Sequence, residues 1–306
     1  MDKHENNIFV ERRGCSVITR CLRRRRFSHQ SWHGGQQPRP WRPDPESTAT
    51  YCLFYDRRFH RKAQRTVGGA GESTDASGAL MTPSGGPGCT GSRPIVLYAH
   101  GTTVVKSFNL ANLLDESGAA YSEAALIAAA YAAQGFIVVA PNYAGYDTSK
   151  LAYQPYLNAD QQSKEMMDAL SAARKALPGL LQPVQDSGKL FITGYSQGGH
   201  VAMATHKAMQ AAGPTVTASA PMSGPYAMGA FIDAQFYGNV SLGSTLFTPL
   251  LITSYQKAYG NIYSSLTDIY EPAYASGIDT LLPTDTPLST LIAPGGKLPQ
   301  TALFNR

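Results

Sequence analysis

Residues 189–213 read K-L-F-I-T-G-Y-S-Q-G-G-H-V-A-M-A-T-H-K-A-M-Q-A-A-G, and the fold of the whole chain is read outward from them. Residues 190–193 form a short apolar run with a β-branched bias, long enough for one buried strand and too short for a helix. From Gln197 the chain is rich in Ala and Met, with apolar positions at Val201, Ala204, Ala208 and Ala211. Gly213-Pro214 then stops the helix that this spacing predicts. Between strand and helix lies Gly194-Tyr195-Ser196-Gln197-Gly198, a G-x-S-x-G in the strand–turn–helix context of a nucleophile elbow. Turning a strand into a helix within two residues forces Ser196 into a strained backbone conformation. Side chains two before and two after would collide there, and Gly194 and Gly198 remove the collision. Ser196 is the candidate nucleophile, and the backbone N–H of Gln197, at the helix N-terminus, is the candidate donor to a developing oxyanion.

Charge divides the chain unevenly. The net charge is +5, yet residues 1–65 hold 15 Lys+Arg against 6 Asp+Glu, and the remainder holds 11 against 15. That first segment contains Arg23-Arg24-Arg25-Arg26 and four prolines at 38, 40, 43 and 45, with no sustained period of 2 or 3.6. It reads as a basic, disordered tail over 1–65 that contributes little to the fold. It lacks the apolar run of a secretory signal. Two sharper readings weaken on inspection. Cys15, Cys21, His29 and His33 do not match zinc-finger spacing, so no metal is expected. The arginine run is a solvated charge run, so no nucleic-acid partner is expected either. Cys89 is the one cysteine outside this segment. No run approaches the roughly 18 apolar residues of a membrane-spanning helix.

From 66 to 225 the pattern is that of a core. Residues 66–83 read as edge strands. The run R-P-I-V-L-Y-A-H-G-T-T at 93–103 is continuously apolar before its His-Gly, which suits a strand covered on both faces. A helix follows over 122–133, with Ser122 as N-cap and Gly135 as its end. Residues 136–140 form the next strand and 158–177 the next helix, closed by Pro178-Gly179. The elbow strand and helix come next, then a strand over 216–220. Strands alternating with helices imply an α/β fold, a mostly parallel sheet with helices on both faces. Residues 226–306 change texture. Tyrosines at 255, 259, 263, 270 and 274, interleaved with Leu and Ile, suggest two or three helices laid over the sheet as a cap, the tyrosines serving as packing.

The stretch from about residue 66 to the end resembles the α/β-hydrolase superfamily, and within it the bacterial secreted esterases and lipases grouped with the secretory lipases. The residues that carry the resemblance are Y-A-H-G-T-T at 98–103, A-P-N-Y-A-G-Y at 140–146 and G-Y-S-Q-G-G-H at 194–200. It implies hydrolysis of a small-molecule or lipid ester through Ser196, without a cofactor, by a secreted or periplasmic protein. It also implies that the second oxyanion donor is Thr102 and that an acid and a histidine follow the serine. His100, upstream of the nucleophile, reads as a brace for the oxyanion loop.

The sequence departs from that pattern at the histidine. The seven histidines are His4, His29, His33, His60, His100, His200 and His206. His200 and His206 lie on the elbow helix itself, and four residues carry His200 about 6 Å along the axis away from the serine. Asp233, Asp268, Glu271, Asp279 and Asp285 follow Ser196 but lack the expected preceding strand. The triad acid is therefore unassigned, and no residue is assigned as the triad histidine. The expectation is a chain that stops before the last strands of the fold, leaves 216–220 as an open edge, and is inactive as it stands. The alternatives are a non-catalytic binding protein on the same scaffold, or an acyltransferase or peptidase.

Overall fold

A computed structural model of the chain describes residues 11–12, 15–16, 19–25, 48–54, 64–84, 90–180, 184–237 and 243–299. The strands are β1 Glu11–Arg12, β2 Cys15–Ser16, β3 Thr19–Arg25, β4 Thr48–Phe54, β5 Gln64–Val67, β6 Ser73–Ala76, β7 Gly78–Ser84, β8 Gly91–Ala99, β9 Ile137–Pro141, β10 Val184–Tyr195 and β11 Ala218–Met222. The helices are α1 Tyr121–Ala130, α2 Ala159–Ala176, α3 Gln197–Ala212, α4 Met228–Phe236, α5 Ser244–Tyr259, α6 Pro272–Ala275 and α7 Leu288–Ile292.

Seven strands make the central sheet in the order β11-β10-β8-β9-β7-β4-β3. The pairs β10–β11, β8–β10 and β8–β9 are parallel, whereas β7–β9, β4–β7 and β3–β4 are antiparallel. β5 and β6 form a separate hairpin. The parallel half is continuously apolar because both of its faces are covered. β9 is buried along its whole length, as is the second half of β8. From β8 through α1 to β9 the chain steps one way, and from β9 through α2 to β10 it steps back past β8. Right-handed crossovers therefore place α1 and α2 on opposite faces. α3 continues in the second direction and packs against α2. The loops after β8 and β10 thus leave neighbouring strands toward opposite faces, which opens a crevice at their carboxyl ends.

Several expectations need correction. The stretch 1–65 contains β1 to β4 and the first two residues of β5, and β3 and β4 extend the central sheet; the rest of it lies outside the described residues. Backbone pairing needs no side-chain period, so T-A-T-Y-C-L-F, rich in β-formers, pairs although no amphipathic pattern marks it. β7 is an interior strand, flanked by β4 and β9. Ser122 is not the cap of α1. That position belongs to Ala120, whose side chain makes no cap bond, and the helix gives way to a 3₁₀ turn at Ala132–Gln134 before Gly135 ends it at φ 95°. Asn158 does cap α2, its side chain accepting from the N–H of Gln161 at 3.1 Å. β11 begins and ends two residues later than expected and closes the sheet as its edge.

The apolar interior has two main parts. One lies between the sheet and α1 to α3. The other is built from Leu250, Leu251, Ile252, Tyr270, Ala275, Ile278, Leu282, Leu291 and Leu298 of the cap, joined by Tyr156 and Leu157 from the loop before α2. Tyr270 is fully buried there and Tyr255, Tyr263 and Tyr274 pack against the same cluster, which is the packing role expected of them. Tyr259 is exposed.

Candidate active site

Ser196 sits between β10 and α3 at φ 59°, ψ −121°, a conformation that costs a non-glycine residue on the order of 1–3 kcal/mol. Four other described non-glycine residues have positive φ, namely Tyr143, Asp147, Leu157 and Ser223. Every one of the five lies in a loop at the carboxyl end of β9, β10 or β11. Backbone strain is therefore concentrated at one end of the sheet, the end that carries the crevice.

The two elbow glycines are needed for a reason more specific than room for the serine. A Cβ on Gly198 would lie 2.0 Å from the Ala99 carbonyl oxygen, and one on Gly194 would lie 2.4 Å from that of Gly198 and 2.5 Å from that of Ala99. The collision is with the end of β8, the neighbouring strand. Gly199 is a third such position, where a Cβ would meet the Met222 carbonyl oxygen at 2.3 Å. That carbonyl also accepts the N–H of Ser196 at 3.0 Å. The elbow is thereby wedged between the ends of β8 and β11, and Ser196 stays partly exposed at its tip.

The loop after β8 carries His100, Gly101, Thr102 and Thr103, and the site of a Cβ on Gly101 lies 3.7 Å from the Tyr195 carbonyl oxygen. The structure thus brings this loop beside the elbow. His100 is completely buried between Phe108, at 4.6 Å between ring centroids, and Tyr143, stacked at 4.0 Å. Its Nδ1 faces the Gly101 carbonyl at 2.7 Å and its Nε2 faces that of Asn142 at 3.1 Å. Burial holds its pKa below the usual value, so it is a neutral ring with one proton to give. Both nitrogens face backbone carbonyls and the single proton can bond only one of them, a setting inside the loop that suits a brace. Glu123 on α1 grips the same loop, accepting the Gly101 N–H at 3.3 Å and the Tyr98 hydroxyl at 2.7 Å.

Three tyrosines complete the support. Tyr143 donates to the His100 carbonyl at 3.2 Å and Tyr146 to the Thr103 carbonyl at 2.5 Å, while the Tyr156 hydroxyl lies 2.8 Å from Thr102 Oγ1. Tyr143 and Tyr146 belong to the A-P-N-Y-A-G-Y run, so that run is the mould into which the segment 100–103 is set. Asn142 of the same run holds Ser77 Oγ through its amide at 2.8 Å and accepts the Leu110 N–H at 2.9 Å. Lys106 Nζ donates to the carbonyls of Gly145, Ser149 and Leu151, and so ties the two loops together further out.

Compared with known protein families, residues 122–231 match the Prolyl oligopeptidase family. Among solved structures, the rice cell wall degrading esterase LipA from Xanthomonas oryzae is 31% identical with a TM-score of 0.64, over 78% of this chain and 59% of that one. Its ligand-bound form gives a TM-score of 0.67 at 28% identity, over 84% and 65%. The structure of a hydrolase assigned in Legionella pneumophila gives 0.62 at 23% identity, over 84% and 64%, a likeness of fold. A comparison with curated protein sequences found no match. This chain has the α/β-hydrolase fold. It spans less than two thirds of the length of these relatives.

In this α/β-hydrolase fold Ser196, Gln197 and the Gly101–Thr102 segment meet at the crevice between β8 and β10. The two later histidines lie on α3, where the backbone N–H of His200 donates to the Ser196 carbonyl at 3.3 Å. His206 Nδ1 is 2.7 Å from Ser219 Oγ on β11. His200 is mostly buried, its pKa lowered by that burial, and its Nδ1 has no hydrogen-bond partner among the described residues. Neither is hydrogen-bonded to Ser196 Oγ. Of the later carboxylates, Asp268 accepts the N–H groups of Ser264 and Ser265 at a 3₁₀ N-terminus, and Asp285 accepts that of Ser107.

The sequence reading missed Glu165. This residue of α2 is completely buried, accepts the Ala144 N–H and takes the Gln161 amide at 3.1 Å, thereby anchoring the tyrosine-bearing loop. Burial pushes its carboxyl up to about 7 from 4.5. The native state therefore keeps a proton that the unfolded chain releases, and stability should fall as pH rises from about 4.5 to about 7 and level off above. Glu165→Gln should flatten that decline and raise stability at pH 8 by up to roughly 3 kcal/mol, read from urea denaturation at pH 5 and pH 8. An unchanged pH profile in the variant would remove Glu165 as its source.

Proposed function

We propose that this chain of α/β-hydrolase fold cleaves carboxylic esters through an acyl-enzyme on Ser196, as an exported protein. The observation that supports it most is the strained Ser196 held at φ 59° beside the oxyanion loop, in a chain 31% identical to an esterase. Ser196 Oγ attacks the ester carbonyl and its proton goes, through water, to the leaving alkoxide as the carbon–oxygen bond to the alcohol breaks. The N–H groups of Gln197 and Thr102 receive the oxyanion. Among the described residues no side chain is hydrogen-bonded to Ser196 Oγ as a base, and both later histidines are on α3.

A peptidase reading is favoured by the Prolyl oligopeptidase match alone. The two separate in one experiment. The protein is incubated for hours with the acetyl ester of an aryl alcohol or with the matching anilide, and the acetylated residue is mapped by mass spectrometry. Ester-derived acetyl on Ser196, absent in Ser196→Ala, is the expected result. Labelling from the anilide alone would favour the peptidase, and acetyl only on lysines would sink the acyl-enzyme.

A further inference from the structure

The three tyrosines that hold the oxyanion loop are not equivalent. Tyr143 and Tyr146 are completely buried and bond to backbone carbonyls, which fixes the course of the chain. Tyr156 meets a side chain, Thr102 Oγ1, at 2.8 Å, and its ring belongs to the apolar cluster of the cap. Val104, two residues on, packs against the same cluster. The loop is then clipped to the cap by backbone bonds, Thr284 N–H to Val104 carbonyl at 2.8 Å and Lys106 N–H to Thr284 carbonyl at 3.1 Å. Thr102 is thus the point where the cap touches the expected oxyanion donor by a hydroxyl pair.

We infer that Tyr156 is a positioning residue for the oxyanion hole, its hydroxyl fixing the Thr102 side chain so that the Thr102 N–H stays aimed at the carbonyl under attack at Ser196. The inference rests on the proposed ester cleavage, since it needs a charge to form beside that N–H. The phenol is suited to the task. Burial keeps it neutral at every working pH, so it can give or take a proton in the bond to threonine without becoming an anion that would repel an oxyanion. A wrongly turned Thr102 would leave substrate binding intact and weaken only what is bound once the carbonyl becomes tetrahedral.

The test is the affinity of phenylboronic acid, measured by calorimetry, with the ¹¹B signal reporting whether boron is tetrahedral. Ser196 Oγ adds to boron, the hydroxyl proton passes to solvent, and the anionic adduct stands in for the tetrahedral intermediate. Acetophenone, planar and uncharged, serves as the control ligand. Tyr156→Phe should weaken the boronate about tenfold, short of the roughly 10²–10³ that loss of a whole oxyanion donor costs, and leave acetophenone unchanged. In a Thr102→Val background the same substitution should add no further loss. Unchanged boronate affinity in a folded Tyr156→Phe protein overturns the inference, as does equal weakening of both ligands or an undiminished effect in the Thr102→Val background. A boronate bound equally well by Ser196→Ala overturns the reading of the site itself, a different failure.

Discussion

Purified as its 306 residues, the protein should hydrolyse a short-chain aryl ester at close to the rate in buffer. A serine hydroxyl without a base is a weak nucleophile at neutral pH, and in subtilisin the loss of the catalytic histidine alone lowers kcat about 10⁶-fold. What survives such a loss is the oxyanion hole and binding, about 10³ to 10⁴ over water. The elements of that residue are the ones this structure supports: Ser196 at its elbow, the α3 N-terminus, and the loop braced by His100 and the three tyrosines. A C-terminal extension that pairs with the β11 edge and supplies an aspartate and a histidine should raise turnover by several orders of magnitude, on the order of 10³ or more. In the extended protein Ser196→Ala should return it to background. If the unextended chain instead runs at an ordinary rate of about 1–10³ per second, and His100→Ala or His200→Ala abolishes it, then a base lies within these residues and the assignment fails.

Gly198→Ala should damage the fold more than any other single methyl at the elbow. The added carbon would sit 2.0 Å from the Ala99 carbonyl oxygen and 2.8 Å from that of His100, and both obstacles are backbone. No side-chain rotation can make room, so α3 or the end of β8 must move. Overpacking of this kind costs typically 1–3 kcal/mol where side chains can yield, and here about 3 kcal/mol or more is expected. Since β8 leads into the oxyanion loop, the displacement also reaches Gly101 and Thr102. Thermal unfolding gives the stability loss, and acylation of Ser196 in the extended protein gives the functional one. A variant within about 0.5 kcal/mol of the parent would show that the elbow tolerates far more give than these contacts allow.

How much of this was legible in the sequence depended on whether a feature is local. The elbow was, because strand, turn and helix lie within 25 residues and the glycine spacing marks them. The buried strands β8 and β9 were, because an element covered on both faces needs an unbroken apolar run. Asn158 was an expected helix start and is the α2 cap, whereas Ser122 shows that a capping residue in place does not guarantee a cap. The antiparallel half of the sheet was not legible, since β3 and β4 pair through backbone with no amphipathic period. The tyrosine support of the oxyanion loop was hidden for another reason. Its partners are carbonyls some 40 residues away in the chain, and a tyrosine in a loop looks the same whether it reaches a carbonyl or water. Glu165 was hidden likewise, reading as an ordinary charge on a helix until the loop that covers it is in place.

The clip between the oxyanion loop and the cap bears on when the site forms as well as on its shape. The Ser107 N–H reaches Asp285 across 178 residues, beside the Val105–Thr284 bridge. At about 5–20 residues per second on the ribosome, that separation is roughly 10 to 35 seconds of synthesis. The elbow, closed by contacts among β8, α3 and β11, is complete only once residue 222 is made, so for the last 63 of those residues (285 − 222), roughly 3 to 13 seconds, it can exist while the loop after β8 waits for its partner. Contacts so distant in sequence also carry the larger loop-closure cost. Scaffold and catalytic geometry are therefore acquired at different times, and pulse-labelled amides of Lys106 and Ser107 should become protected after those of β8 and β9. The seating of the loop after β8 should therefore be a late step of biosynthesis, set by the arrival of residues 284–285.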